Sequence, residues 1–417
     1  MSLYESLVKE SRELYKSLPD ESNELFKRRY VPIDLYGYGA RKNPANISND
    51  PNKLPLRFDA LISPSSCISN SKFIQIFDAG TEEYMSLLKS RSYNTNSDKY
   101  ASFVNAESSK AVLVEPESNS ERKLNIFVST GSDMCIQVFI KEPEGSNTEI
   151  TEWFSSSEQE GGIIGIINEA VAGQNSDLSI NVVHNEPKRA KILNFSSALA
   201  MESASINVNY MYLGGEATKS KNLLTANGRY SSVAANELVM GQEDQKFDIN
   251  TSILNEASLS NANLASKAIV SDRSVCFLKG FSKIINGAKD SRSFVEERGL
   301  LIDKSAKIES IPSMSIDEGQ VKASHSSAMA PLDEDMIFYL TSRGITRLSA
   351  RSLIINGFIL SQLSKIKNEM LKVALSSIIT SRSIGSSGIG ELPKETPGYF
   401  WIPSESHGTI SKHNYIK

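Results

Sequence analysis

The sequence has few residues of the types that build metal sites or disulfide frameworks. Its 417 residues include three cysteines and four histidines. Cys67, Cys135 and Cys276 are far apart and form no CxxC pair, so neither a disulfide framework nor a zinc knuckle is predicted. Cys135 and Cys276 have apolar neighbours on both sides. We expect all three cysteines to be buried structural thiols.

The sequence also lacks an excess of positive charge and a long apolar run. The formal net charge is -4, which argues against binding to a nucleic-acid backbone. No stretch reaches the roughly 18 apolar residues of a membrane span, and the N-terminus has no basic segment followed by an apolar one. We therefore expect a cytoplasmic protein that binds neither nucleic acid nor membrane.

Familiar catalytic motifs are missing as well. The sequence contains no GxxxxGK[ST], GxGxxG, HExxH or GxSxG element, so no phosphate loop, zinc protease site or nucleophile elbow is predicted. Acidic residues are scattered along the central region in the manner of solvated strands. Parallel β-helix enzymes that act on polysaccharides use scattered acids, so a carbohydrate-active enzyme remains an alternative of a different class.

The pattern of apolar and polar residues changes along the sequence. Residues 1–100 have the pattern of a mostly helical region with an irregular connector. Residues 101–325 read as short strands separated by Asn, Gly, Ser and Asp, which excludes a doubly wound sheet and leaves a sandwich, a barrel or a solenoid. The length of this region and its Asn- and Ser-rich gaps favour the solenoid.

A helical period follows Pro331 and defines a C-terminal helical domain over residues 326–381. The carboxylates of Asp333, Glu334 and Asp335 favour a helix start. Gly344 offers a left-handed stop, and Thr346 can cap a second helix whose apolar spacing continues to Met370. Its wide apolar face is covered either by the protein itself or by a partner's groove. Residues 382–417 form a tail.

His325 lies where the strand pattern gives way to the helical one. Imidazole can ligate iron or carry a proton near neutral pH, although a lone histidine is more often a surface or hydrogen-bonded residue. His184, beside Asn185-Glu186-Pro187, is expected in a turn.

Several spaced segments match a known family. The sequence resembles the SufB/SufD family, the scaffold subunits of the SUF iron–sulfur cluster assembly machinery, over about residues 73–381. The matching segments are Val321–His325, Leu332–Asp335, Phe338–Ile345 and Ile354–Phe358, with further matches at Leu213–Gly215, Gly241–Gln245, Asp272–Ser274, Asn286–Ala288 and Leu300–Ala306.

The resemblance implies a mainly β protein, with a right-handed parallel β-helix flanked by N-terminal and C-terminal α-helical domains. It also implies a noncatalytic subunit that pairs with a second scaffold chain and binds the ATPase SufC through the C-terminal helices. The candidate SufC-docking residues are Asp333, Glu334, Tyr339, Arg343, Gly344, Asn356 and Phe358.

Within the family, the residues resemble SufD-type chains. Ser326 follows His325 where SufB-type chains have Glu, and Ala323 occupies a position often held by Cys. The segment Asp248–Thr251 lacks the two histidines common in SufD-type chains, so His325 alone carries over. The resemblance implies that His325 binds a nascent iron–sulfur cluster transiently at an interface where SufB supplies a thiolate.

The partner scaffold is either SufB or a second copy of this chain. A SufB-like homodimeric scaffold that binds SufC is the alternative within the family. Flavin is associated with complexes of the family, but no motif in this sequence supports a flavin site.

Overall fold

The computed structural model of the protein describes residues 3–21, 29–35, 58–63, 67–130, 133–155 and 162–383. The chain forms a parallel β-solenoid of about seven turns with helices at both ends. The mainly β, solenoid architecture implied by the resemblance is confirmed, and the sandwich and barrel are excluded. The helices are α1 (Leu3–Ser17), α2 (Glu82–Lys89), α3 (Lys99–Glu107), α4 (Glu334–Ser342), α5 (Arg347–Leu363) and α6 (Glu369–Ser383).

The strands form two ten-stranded sheets. In order across sheet A they are β2 (Cys67–Ser69), β1 (Ala60–Ile62), β5 (Glu121–Ser129), β7 (Asn147–Ser155), β9 (Asp177–Asn185), β11 (Ser205–Tyr212), β13 (Ser232–Gly241), β15 (Asn261–Val270), β17 (Arg292–Leu301) and β20 (Lys322–Pro331). In order across sheet B they are β18 (Lys307–Ser310), β16 (Val275–Ile284), β14 (Lys246–Asn255), β12 (Ala217–Ala226), β10 (Lys191–Ala200), β8 (Ile163–Ala172), β6 (Met134–Glu142), β4 (Ser108–Val114) and β3 (Ile74–Asp78), while β19 (Ser313–Ile316) also pairs with β16.

One ridge of turns shows how the coils stack. Each turn contains one residue with positive φ, between 56° and 61°, and the main-chain N–H of that residue donates to a carbonyl of the next coil. Such a conformation is uncommon outside glycine and is most easily adopted by Asn, Asp and glycine. Asn175 and Asp290 are of these types, whereas the other three positions hold residues that are not favoured in this conformation. The positions are Asn175, Ser203, Tyr230, Leu259 and Asp290.

The interior of the solenoid, which we call the lumen, holds the main core. Alternate residues of both sheets face it because side chains alternate across a strand. Ile126, Ile180, Val208 and Leu264 are 1–2% exposed and belong to this core. Cys276 also lies in this core and Cys135 in a second one, both fully buried, as expected from their apolar neighbours. The expectation is wrong for Cys67, which is only half-buried.

The N-terminal segment covers the outer face of sheet B. Val31, Ile33 and Leu35 pack with α3 against that face. Asp248 fixes the segment because its carboxylate accepts the Val31 N–H at 3.1 Å and the ammonium groups of Lys219 and Lys279 at 3.0 and 2.7 Å. Burial raises the pKa of Asp248, but the two lysines outweigh it and hold the pKa below its ordinary value.

The C-terminal helices cover the outer face of sheet A and correct one expectation. The second helix was expected to continue to Met370, but α5 ends at Leu363 and a new helix, α6, begins at Glu369. Asn368 explains the break, since its side chain accepts the Leu371 N–H at 3.1 Å in the manner of an N-cap. Among the described residues, no helix is both long and apolar enough to cross a membrane.

Candidate functional site: the open end of the solenoid and the adjoining helices

β20 is the last strand of sheet A and pairs with β17 along one edge. Its other edge has no strand partner among the residues that the structure describes. The segment from Ala323 to Ala330 contains no Asp, Glu, Lys or Arg, and Lys322 and Pro331 flank it. An edge strand of this kind is a template for pairing with another strand, and charged residues or proline at its ends limit where pairing can occur.

His325 lies on β20 with its side chain in a column of residues that faces the lumen. It pairs in register with Val295, which is a lumen core residue. No further coil of the described part of the chain covers this position, and His325 is exposed. The column that it ends is Ile150, Ile180, Val208, Ala235, Leu264, Val295 and His325.

We call the open end of the lumen the mouth. It is lined by Ala323, His325, Ser327 and Met329 from β20, Ile308 and Ser310 from β18, and Met314 and Ile316 from β19, whose register partners all face the lumen. The lining is apolar at both sides and polar at its centre. There the hydroxyls of Ser310 and Ser327 lie 2.6 Å apart.

Glu297 lies directly behind the mouth and was not predicted from the sequence. Its carboxyl group is fully buried and accepts a hydrogen bond from the Ser310 hydroxyl. Burial raises the pKa of Glu297 to about 7. Gly280 makes room for it, since a Cβ at that position would lie 2.7 Å from the Glu297 Oε1 atom.

Glu297 belongs to a polar row that runs along the lumen. Consecutive strands of sheet A place Glu152, Val182, Tyr210, Glu237, Ser266, Glu297 and Ser327 at one register position. Residues of sheet B hydrogen-bond to this row across the lumen: the Asn168 amide donates to both oxygens of Glu152 at 2.8 and 2.7 Å, and the Ser196 hydroxyl lies 2.6 Å from that of Tyr210.

The expectation that the scattered acids lie on solvated strands is therefore wrong for Glu152, Glu237 and Glu297, which are at most 2% exposed. Burial is the largest cause that raises the pKa of each, to about 7 for Glu152. A signal was present in the sequence, because each acid stands inside a strand whose alternate neighbours are apolar. Only the pairing of strands identifies which face is inside.

His184 also differs from its expectation. It is not a turn residue but lies in β9, fully buried, with its ring stacked between those of Phe154 and Tyr212. Its Nδ1 atom is 2.6 Å from the Glu186 carboxylate. We assign it to the core.

Of the two histidines that the structure describes, His325 lies at the mouth and His184 lies in the core. The described residues contain no group of three or more His, Cys, Asp or Glu side chains placed to hold a metal ion. A single imidazole leaves most of the coordination positions of an iron centre unfilled. A metal site at His325 therefore needs ligands from outside the described part of this chain.

The predicted docking residues lie on or beside α4 and α5. Asp333 caps α4, accepting the N–H groups of Asp335 and Met336, and Gly344 has φ +87° between the two helices. Tyr339 is 56% exposed and lies under the Arg343 guanidinium.

The remaining predicted residues are tied to α5. Glu334 forms an ion pair with Arg347 at 2.7 Å. Asn356 donates to Ser352 at 3.3 Å, and the Phe358 ring lies under the Lys267 ammonium. Binding by any of the seven residues stays a prediction. Other large apolar side chains on the same helices are exposed, namely Met336, Phe338, Leu348, Leu353 and Leu360. The sequence placed Leu348, Leu353 and Leu360 on the wide apolar face of the second helix, but Met336 and Phe338 were not predicted as docking residues.

α5 and α6 are attached firmly to sheet A. Ile355, Ile359, Leu371 and Ile379 are at most 1% exposed, packed in a second core with residues of sheet A. The Gln362 amide, 2% exposed, donates to the main-chain carbonyls of Glu237 and Ala265 on neighbouring strands at 3.2 and 2.7 Å. Burying one such aliphatic side chain stabilises by about 1.5–3 kcal/mol, so the helices are held by several such contributions.

Comparison with known proteins gives one family and several relatives. Residues 127–358 match the family model described as SUF system FeS cluster assembly, SufBD core domain. The iron–sulfur cluster assembly protein SufD of Bacillus subtilis is 24% identical over 260 residues, 61% of this chain and 59% of that protein. The SufD protein of Escherichia coli is 25% identical over 254 residues, 58% of each chain.

A relative from Pyrococcus horikoshii, named as an iron–sulfur cluster assembly SufBD family protein, is 25% identical over 205 residues, 49% of this chain and 46% of that protein. The matched region thus covers about three fifths or less of each relative's length. The matched family model includes most of the lumen, the mouth, α4 and most of α5.

Proposed function

Because this chain belongs to the SufBD family of iron–sulfur cluster assembly proteins, we propose that it is a SufD-like scaffold subunit of a SUF complex, which pairs with a SufB-type chain and binds a SufC-type ATPase. The observation that carries the proposal is the open mouth with His325 on an edge strand, β20, whose outer edge has no strand partner among the described residues. The nascent cluster is the cargo of this site, and the chain itself catalyses no complete reaction.

The mouth supports pairing with a second scaffold chain. The free edge of β20 offers unpaired main-chain groups from an uncharged segment, and an added strand would satisfy them. Such pairing would also cover the apolar rim formed by Ile308, Ile316 and Met329. It would bring side chains of the second chain beside His325, where they could complete a ligand set that this chain leaves incomplete.

The helices after β20 support ATPase docking. Phe338 is 73% exposed and Tyr339 56% exposed on α4, and Leu353 is 54% exposed on α5. Large exposed apolar side chains close together mark surfaces for protein partners. α5 and α6 use their other face to pack on sheet A, so the protein itself covers one face and leaves the other for the ATPase.

The carbohydrate-active alternative has no observation in its favour. A polysaccharide chain reaches acids on an outer surface, whereas Glu152, Glu237 and Glu297 face the lumen and are buried. These acids hydrogen-bond to side chains of the protein instead.

Two variants test the proposal. His325→Ala should reduce cluster formation in a reconstituted mixture with SufB-type and SufC-type partners, because an imidazole ligand is lost. Ser324→Ala is the matched control, since Ser324 is exposed on the same strand and faces away from the lumen. Unchanged cluster formation with His325→Ala would remove the assignment of that residue.

Docking of the ATPase is tested separately by co-purification. We expect the full chain to retain a SufC-type ATPase and Phe338→Ser to lose it, while Val171→Ser, a similar change on the exposed outer side of β8, retains it. An ATPase that stays bound to Phe338→Ser places docking elsewhere. A chain that assembles only with itself would instead favour the homodimeric scaffold.

A further inference from the structure

The residues that line the mouth offer no negative charge to a metal cation. None of them is acidic, and an imidazole such as that of His325 binds a metal as a neutral ligand. A second chain that covers the mouth would also exclude water, and a charge removed from water is costly unless an opposite charge lies near it. The described carboxyl group that adjoins the mouth in register is that of Glu297, which pairs with Ser327 of β20. Glu297 is therefore placed to supply the charge that the lining lacks.

Two hydroxyl groups join Glu297 to the mouth. The Ser310 hydroxyl is hydrogen-bonded to the Glu297 carboxyl group, and its oxygen lies 2.6 Å from that of Ser327. Ser327 is exposed, whereas Glu297 is fully buried. A hydroxyl group has one hydrogen that rotates and two lone pairs, so each serine can accept a proton on one side and donate one on the other. A proton can therefore pass between the buried carboxyl group and the mouth while the strands stay paired.

Few other titratable groups face Glu297 inside the lumen. Among the described residues, the lumen-facing side chains of β13 to β20 include Glu237 on β13, Cys276 on β16 and His325 on β20, and none of them is a lysine or an arginine. Burial raises the pKa of both Glu237 and Cys276, which favours their neutral forms. Adjacent strands are about 4.8 Å apart, so Glu237, three strands from Ser327, lies about 14 Å from the mouth. A positive charge at the mouth therefore acts first on Glu297.

We propose that Glu297 is the counter-charge of the mouth and gives up its proton when a metal cation is held beside His325. The O–H bond of the carboxyl group breaks, the proton leaves to water through the hydroxyls of Ser310 and Ser327, and the carboxylate stays behind the mouth. In one respect this rests on the proposed function, because the cation is the iron of the cluster under assembly. Burial places the pKa of Glu297 at about 7, so the group can change its protonation near neutral pH. Metal binding at the mouth then releases this proton and strengthens as pH rises.

The first test uses the full chain alone and replaces the metal by a fixed charge. Relative to the neutral variant His325→Gln, we expect His325→Arg to lower the titration midpoint of Glu297 by about one pH unit, a tenfold change in its acid dissociation constant. The infrared band of the protonated carboxyl group reports the midpoint, and its loss on adding Glu297→Gln to each variant assigns it. Ser324→Arg is the matched control, because Ser324 is exposed on the same strand and faces away from the lumen. Equal midpoints in His325→Arg and His325→Gln, or an equal fall in Ser324→Arg, overturn the coupling.

The second test measures the binding of Fe²⁺, without oxygen, to the complex assembled with SufB-type and SufC-type partners. The ratio of the wild-type association constant to that of Glu297→Gln should rise from about 1 at pH ~5.5 to about ten at pH ~8.5. His325 titrates in both proteins, so its own effect cancels from the ratio. Glu152→Gln is the matched control, because Glu152 is a buried acid at the far end of the same row, and its ratio should stay near 1 at every pH.

A ratio for Glu297→Gln that is the same at every pH overturns the proposal, because a purely structural effect of the substitution weakens binding without regard to the proton. A wild-type complex that binds no Fe²⁺, or binds it equally well with His325→Ala, rejects the proposed cluster site instead. The infrared titration of the chain without partners then decides the coupling between the mouth and Glu297 by itself.

Discussion

The buried carboxyl of Glu152 makes the stability of the solenoid depend on pH in a direction opposite to that of most paired carboxylates. Burial raises its pKa from 4.5 to about 7, and the Asn168 amide only partly offsets this. Between these values the folded state holds a proton that the unfolded state has lost. The contribution of Glu152 to the free energy of unfolding therefore falls as pH rises through this window, by about 3 kcal/mol, and changes no further above it.

Glu152→Gln should remove this contribution, because an amide does not titrate, while the pH dependence that comes from Glu297 remains. The amide has one acceptor oxygen, so one of the two bonds from Asn168 is lost, which costs about 1 kcal/mol at every pH. Relative to wild type, the variant should thus be less stable by about 1 kcal/mol below pH ~5 and more stable by about 2 kcal/mol above pH ~8. The sign of the effect changes within the window.

Urea unfolding followed by the fluorescence of Trp153 measures both proteins, since this residue neighbours Glu152 and is 2% exposed. Glu202→Gln is the control, because Glu202 is exposed in a turn and its substitution should leave the pH dependence of wild type intact. A difference between Glu152→Gln and wild type that stays the same from pH ~5 to pH ~8 would refute the claim that Glu152 folds as a neutral acid.

Two further substitutions test the packing of the lumen and of the N-terminal segment. Gly280→Ala should lower the free energy of unfolding by about 1–3 kcal/mol, because the added methyl would lie 2.7 Å from Glu297 Oε1 and 2.8 Å from a Val295 methyl; combining it with Glu297→Ala should recover part of the loss, and urea unfolding of both variants checks this. Asp248→Ala should cost about 3–5 kcal/mol, because it leaves Lys219 and Lys279 buried with less opposite charge, and limited proteolysis should cut near residues 29–35 sooner; a stability within about 1 kcal/mol of wild type would contradict the role of Asp248 as an anchor.

The sequence by itself predicted the kinds of element and several of their ends, because these depend on local chemistry. The carboxylates of Asp333, Glu334 and Asp335 predicted the start of α4, where Asp333 is the N-cap, and Thr346 caps α5 as predicted. Gly344 takes the left-handed conformation expected of a stop. The strand rhythm limited the fold to three classes, and the resemblance identified the solenoid among them.

Only the tertiary structure decided which side of each strand faces the lumen, since a shift of one residue in pairing exchanges the two faces. From the sequence, Glu152, Glu237 and Glu297 were expected to be solvated, but strand register places them in one buried row. His184 was expected in a turn, but it lies between two aromatic rings. His325 could be selected from its sequence context. Its exposure at the mouth arises because no further coil follows β20 among the described residues. That depends on how the coils stack, which no local sequence pattern determines.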